Sequence, residues 1–215
     1  MQQPTEFIIV YIILILLLIG LLYKKYQKRE LTEQKSNVNN ITYLVRRQEN
    51  PQDIQNAADL LGRMAKKGSL LISKLRSKYG TSDYRVNRLS KRFKENTLSE
   101  SLSSSNQTSY SVNKGESIVM CIRSKKTGEL INDNTITFVL LHELGHLMSV
   151  SIGHNNEFWD NFRFILAHAI YWNIYTYQNF STNPTPYCGI SITDTPLPWT
   201  KYKNMIRNNE LVYTN

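Results

Sequence analysis

Cysteine is nearly absent from this chain, with Cys121 and Cys188 alone among 215 residues. The two make no metal-type C-x-x-C pair and are too few for a disulfide framework. They read as free thiols in a reducing compartment, with one long-range bridge as the alternative. No internal repeat is present, and no Lys or Arg precedes the first apolar run. A cleaved signal peptide needs that positive start, a shorter apolar stretch and a small-residue cleavage site, and all three are lacking. Histidine is scarce as well, four in all, yet every one lies between positions 142 and 168. Core histidines scatter; a site gathers them.

What is present begins with residues 7–23, FIIVYIILILLLIGLLY, free of charge and of strong breakers. As a helix, these seventeen residues span about 25 Å, near the lower limit for a bilayer core. Lys24, Lys25, Lys28 and Arg29 follow. The run predicts an uncleaved single-pass anchor, and its basic flank places the domain behind it on the cytoplasmic side. Asn40, Asn106 and Asn179 each head an N-x-Ser/Thr triplet, which matters only in the reverse orientation. The net charge of +9 is uneven, with thirteen Lys/Arg against five Asp/Glu in residues 46–95 and near balance after them. That excess is either a solvated helical face or a patch for anionic lipid or nucleic acid.

Residues 1–29 thus predict the anchor with its basic flank, 30–49 a polar tether, and 50–215 the working domain. Within it, 50–95 is a basic helical part, 108–180 the catalytic core and 181–215 a proline-containing tail. Asn50-Pro51 marks a helix start, and Ile54, Ala57, Leu60, Leu61 and Met64 recur at helical spacing, with a break expected near Gly68 and an end at Gly80. A shorter helix is expected over 84–93. Residues 97–113 are serine-rich and read as a loop leading into a strand. Residues 116–123, ESIVMCIR, make the clearest strand, one whose edge is expected to face substrate. A long helix is expected over 158–177.

The helix TITFVLLHELGHLMSV buries Ile136, Val139, Leu140, Leu144 and Leu147. His142 and His146 stand four apart, one turn apart on one face, where both imidazoles reach a single ion. Glu143 follows the first histidine and can reach a bound water without being a ligand. Zinc suits this arrangement, and it needs a third protein ligand and an open position. Gly153 turns the chain back so that His154 can present its ring; Glu157 and Asp160 are the rival ligands. His168 reads as a packed histidine or as a partner behind the ligands, not as a ligand itself. Gly145 in mid-helix costs about 1 kcal/mol against alanine and implies close approach of another segment, such as a strand edge or substrate.

HELGHLMSVSIGHNNEFW resembles the small zinc peptidases of the minigluzincin group, which includes the WLM, SprT/Spartan and YgjP-like families. These share H-E-x-x-H, a short segment and then H-x-x-x-F. The resemblance is strongest over residues 108–172, and AADLL, the NKGE-IV-CIR strand and PYCGI-IT extend it to the WLM-like proteins of large DNA viruses. It implies His142, His146 and His154 as zinc ligands and Glu143 as the catalytic base. His154 lies eight residues after His146, where relatives usually have six.

The expected fold is α+β, a small sheet flanked by helices with the H-E-x-x-H helix in it, plus the N-terminal transmembrane helix. The expected function is hydrolysis of a protein or peptide substrate by a membrane-anchored zinc metallopeptidase, at a cellular, viral or virion membrane. Tyr171, Tyr175 and Tyr187 are the candidate oxyanion donors. The alternative is a catalytically silent membrane or virion structural protein that keeps the metallopeptidase fold.

Overall fold

A computed structural model describes residues 3–208 and, within its first helix, the side chains at positions 7–22 and 30. Helix α1 (Gln3–Glu30) runs directly into β1 (Leu31–Lys35), which a turn joins to β2 (Thr42–Arg46). The stretch expected as a tether is therefore largely an antiparallel hairpin, with Leu31 opposite Arg46 and Lys35 opposite Thr42. Asn40 takes a left-handed φ of 60° in the turn. Asp59 of the following helix accepts the Asn37 N–H and the Ser36 hydroxyl, which fixes the hairpin on the domain.

Among the described residues, no helix is long and apolar enough to cross a membrane. The described apolar side chains of α1 cover positions 7–22, about 24 Å of helix against a hydrocarbon core of about 30 Å. The expected transmembrane helix is to that extent not supported. Its large apolar side chains are nonetheless 51–68% exposed.

Helix α2 (Pro51–Tyr79) begins as expected: the Asn50 side chain accepts the Gln52 N–H and proline occupies the first turn. It does not break at Gly68. That glycine makes room for a ring instead, since a Cβ there would lie 2.6 Å from Phe93 Cζ. Helix α3 (Tyr84–Arg92) follows, capped by Asp83, and then β3 (Leu98–Glu100), β4 (Ser109–Val112) and β5 (Ser117–Met120). The sheet order is β1-β2-β3-β5-β4, parallel in its two central pairings and antiparallel at both ends. The strand expected to offer its edge is therefore interior, and β4 is the outer strand beside the histidine helix.

Buried Tyr43, Val45, Leu98, Ile118 and Met120 point from the strands into the core, against Leu60, Leu61, Met64 and Leu71 of α2. A buried carboxylate ties the strands together. Glu100 accepts the backbone N–H and Nε of Arg46, both at 2.8 Å, and Nε of Arg123 at 3.0 Å. Such a charge is tolerable inside only because it is paired and fully hydrogen-bonded.

Helix α4 (Asp133–Met148), capped by Asn132, carries the H-E-x-x-H segment across the core, and α5 (Asn156–Tyr171) packs on it. Helix α5 stops at Tyr171 rather than 177, with Asn173 in a left-handed φ of 57°. The proline-containing tail is more structured than expected: β6 (Thr185–Tyr187) and β7 (Ile190–Ile192) form a hairpin, and α6 (Trp199–Arg207) follows. The two cysteines are not free thiols. The fold brings the segment after β5 to the turn of this hairpin, and Cys121 and Cys188 form a disulfide with Cα atoms 6.3 Å apart.

Candidate metal centre

His142 and His146 project from one face of α4, and His154 comes back to them from the loop before α5. Gly153, at φ +83°, supplies the left-handed turn that aims it. The three Nε2 atoms form a nearly equilateral triangle, 3.2 Å from His142 to His146, 3.2 Å from His146 to His154 and 3.1 Å from His154 to His142. Nitrogens on one tetrahedral zinc, each about 2.0–2.1 Å from it, lie about 3.3 Å apart. Three ring nitrogens this close cannot all be satisfied by one another, because each pair needs a donor and an acceptor. A shared cation satisfies all three. Burial and mutual repulsion hold His142 down to about 3 and His146 down to about 4, so both present lone pairs at neutral pH.

One aromatic side chain organises the cluster. Phe158, fully buried at the start of α5, stacks on His146 at 4.2 Å between centroids and meets His142 and His154 edge-on at 4.9 and 4.7 Å. The sequence signal for it was the last position of His154-x-x-x-Phe158, to which no role was attached. Gly145 serves the same contact. A Cβ there would lie 3.2 Å from Phe158 Cε2 and 3.3 Å from Phe162 Cβ, so the segment approaching this glycine is α5, not a strand edge or substrate.

The loop bearing His154 is fastened at both ends. Glu157 accepts the N–H groups of Val150 at 2.8 Å and Ser151 at 2.9 Å, and the Ser151 hydroxyl. These bonds hold its carboxyl well below the usual range, down to about 2. Arg88 donates to Met148 O, Arg92 to Leu147 O and Ser149 O, and Lys114 to Ser151 O, so cations cap the carbonyl end of α4. Part of the basic excess of residues 46–94 therefore works inside the fold; Arg63 likewise grips Asp133 with two hydrogen bonds.

Glu143 lies beside the triangle, 2% exposed, with its Oε2 lacking a partner among the described residues. Burial pushes its carboxyl up to about 7, against the pull of a Ser111 hydrogen bond. Of the rival ligands, Glu157 holds the loop and Asp160 pairs with Arg163 at 2.7 Å, so neither joins the cluster. Of the two readings of His168, the packed one holds: it is bonded to the Tyr79 hydroxyl at 2.8 Å and to Phe164 O. Of the three tyrosines, Tyr187 alone lines a cavity with His142 and Glu143, its hydroxyl 2.6 Å from Ser109 Oγ and pushed far above its usual range by burial. Tyr175 is buried against Phe138, and Tyr171 sits beside Trp172; neither borders the cavities around Glu143.

The chain is similar to several known proteins. The R325 protein of Acanthamoeba polyphaga mimivirus is 32% identical over 195 residues, which cover 88% of this chain and 98% of that one. The 136R protein of Invertebrate iridescent virus 6 is 36% identical over 63 residues, 28% of this chain and 35% of the relative. Among solved structures, Wss1 from Saccharomyces cerevisiae aligns with a TM-score of 0.44 and 20% identity, over 60% of this chain and 88% of that one. The profile of the WLM domain matches residues 84–206, a span that includes α3, the outer strand, the histidine helix and the disulfide-linked hairpin. The chain belongs to the WLM-domain family.

Proposed function

We propose that this chain is a zinc-dependent peptidase in which His142, His146 and His154 hold the metal and Glu143 is the general base. The observation that carries this is the triangle of three Nε2 atoms at 3.1–3.2 Å beside a buried carboxylate with one oxygen unpartnered among the described residues. Zinc, when bound, supplies Lewis acidity and lowers the pKa of a coordinated water to about 7. Glu143 then takes the proton of the attacking water at Oε2 and returns it to the leaving amine. The Tyr187 hydroxyl, held by Ser109, donates a hydrogen bond to the oxyanion. Outer strand β4 lies where an extended peptide can add to the sheet. A silent scaffold gains nothing from an unpartnered carboxylate oxygen kept buried at considerable cost.

The same proposal extends to place. The exposed apolar helix α1 attaches the chain to a membrane, cellular or viral, through its apolar side chains. Basic positions in 46–94 that are not engaged in the fold add attraction to anionic lipid or nucleic acid, which a steep salt dependence of binding checks. The central test is zinc content of the full chain with hydrolysis of unfolded protein, beside Glu143→Gln. One zinc per chain in both and hydrolysis only in the native sequence supports the proposal. Absence of zinc from the folded protein refutes it.

A further inference from the structure

We infer that the cleft selects a large apolar side chain, of the size of Leu, Met or Phe, next to the bond it cuts. The inference rests on the peptidase proposal and adds a substrate class to it. The cleft has two unlike halves that meet at His142 and Glu143. One is a cavity of about 240 Å³ walled by Phe138, Val139, Trp159, Phe162, Ile190 and Ile192. The other, about 630 Å³, is wider and is lined by Tyr110, Ser111, Asn113, Lys114, Ile152 and His154. A peptide bond set against Glu143 therefore has the smaller, apolar-walled chamber on one side and the wider groove on the other.

The chamber is built rather than left over. Its walls come from three elements, α4, α5 and the β6–β7 hairpin, and a packing gap between two helices would not recruit the third. Phe138 and Phe162 form a rigid floor, with centroids 5.3 Å apart and both rings buried. The hairpin is fixed over it by the disulfide at Cys188 and by Tyr187 on Ser109. Ile190 is 55% exposed at the mouth, an apolar side chain facing water where an incoming one would cover it. By their share of liquid volume, about eight waters would fill the chamber, and a Leu, Met or Phe side chain displaces roughly three or four of them. Asp194 at the rim disfavours an acidic side chain by like charge.

The test uses the zinc-loaded full chain and a mixture of peptides covering all residue types, with cut sites mapped by mass spectrometry. Cuts concentrated beside Leu, Met and Phe, about 10–100-fold over Ser or Asp, support the inference. Ile190→Asp, an exposed position that should not disturb folding, is expected to reduce that preference about tenfold. Cuts without preference, or beside small or charged residues, overturn it while leaving the peptidase proposal standing. If nothing is cut, that proposal fails by itself. The chamber is then judged by binding to zinc-loaded Glu143→Gln, comparing a Leu-containing peptide with its Leu→Ser counterpart. Tighter binding of the Leu peptide, weakened by Ile190→Asp, supports the inference; equal binding overturns it.

Discussion

Glutamine in place of Glu157 leaves the three histidines untouched and loosens what aims one of them. The carboxylate takes two backbone N–H groups, from Val150 and Ser151, at 2.8 and 2.9 Å. An amide keeps one acceptor oxygen and turns an NH2 group toward the other donor. Hydrogen bonds to a charged acceptor are stronger than neutral ones, but this side chain is 35% exposed and water competes, so the loss is about 1–2 kcal/mol. The loop must be ordered for His154 to reach the metal, so most of that loss falls on the bound state. Zinc affinity should drop about five- to thirtyfold. A competition titration against a chromophoric chelator at neutral pH measures it, with His154→Ala as the reference for complete loss of the third ligand. Removing a negative charge near a cation site also weakens binding, but salt screens that contribution. The ratio of native to variant affinity should therefore survive high salt. Native affinity in Glu157→Gln, with His154→Ala weakened, would refute the reasoning and leave the carbonyl clamps of Arg88, Arg92 and Lys114 as what positions the loop.

Three further outcomes follow from the same geometry. Gly145→Ala gains about 1 kcal/mol of helix propensity but pushes on Phe158 and Phe162, an overpacking that costs about 1–3 kcal/mol, so denaturant titration should show a net loss and zinc should bind more weakly. His168 is 1% exposed and held neutral by burial, its pKa lowered to about 4 from an ordinary 6.5, so its contribution to stability is complete above pH 6.5 and is lost as pH falls toward 4. The loss reaches about 3 kcal/mol, and the metal-free His168→Gln variant should show a flatter stability profile across that window. Tyr187→Phe should lower kcat about tenfold or more with KM little changed, and Cys188→Ser should lower it too by releasing the hairpin; equal kcat in both variants and the native chain would remove Tyr187 from the chemistry.

The histidine cluster was legible because its signals are local. His142, Glu143 and His146 sit on a helix whose apolar period and Asn132 cap are visible in the sequence, and His154 follows within one loop. What supports them was less visible. The hairpin of β1 and β2 hides in Leu-Thr-Glu-Gln-Lys, whose polar residues pair as a sheet edge without an alternating pattern. Strand β3 includes a buried glutamate, acceptable only because Arg46 and Arg123 arrive from distant positions. No local rule anticipates such partners. The Cys121–Cys188 pairing was equally hidden, since sequence separation says nothing about which thiols a fold will bring together.

The disulfide also decides what counts as one molecule after the chain is cut. Its two ends enclose α4, the histidine loop and α5, so all three metal-binding candidates and Glu143 lie inside a single covalent ring. The histidine loop of that ring is open to solvent, with Ile152 89% exposed. A cut there by any protease opens the ring without shedding a fragment, and the halves stay joined through sulfur and through the packing of α5 on α4. On a denaturing gel the nicked protein should run as a single species without reductant and split into two with it. Limited proteolysis can therefore alter the site while leaving the apparent mass of the oxidised protein unchanged.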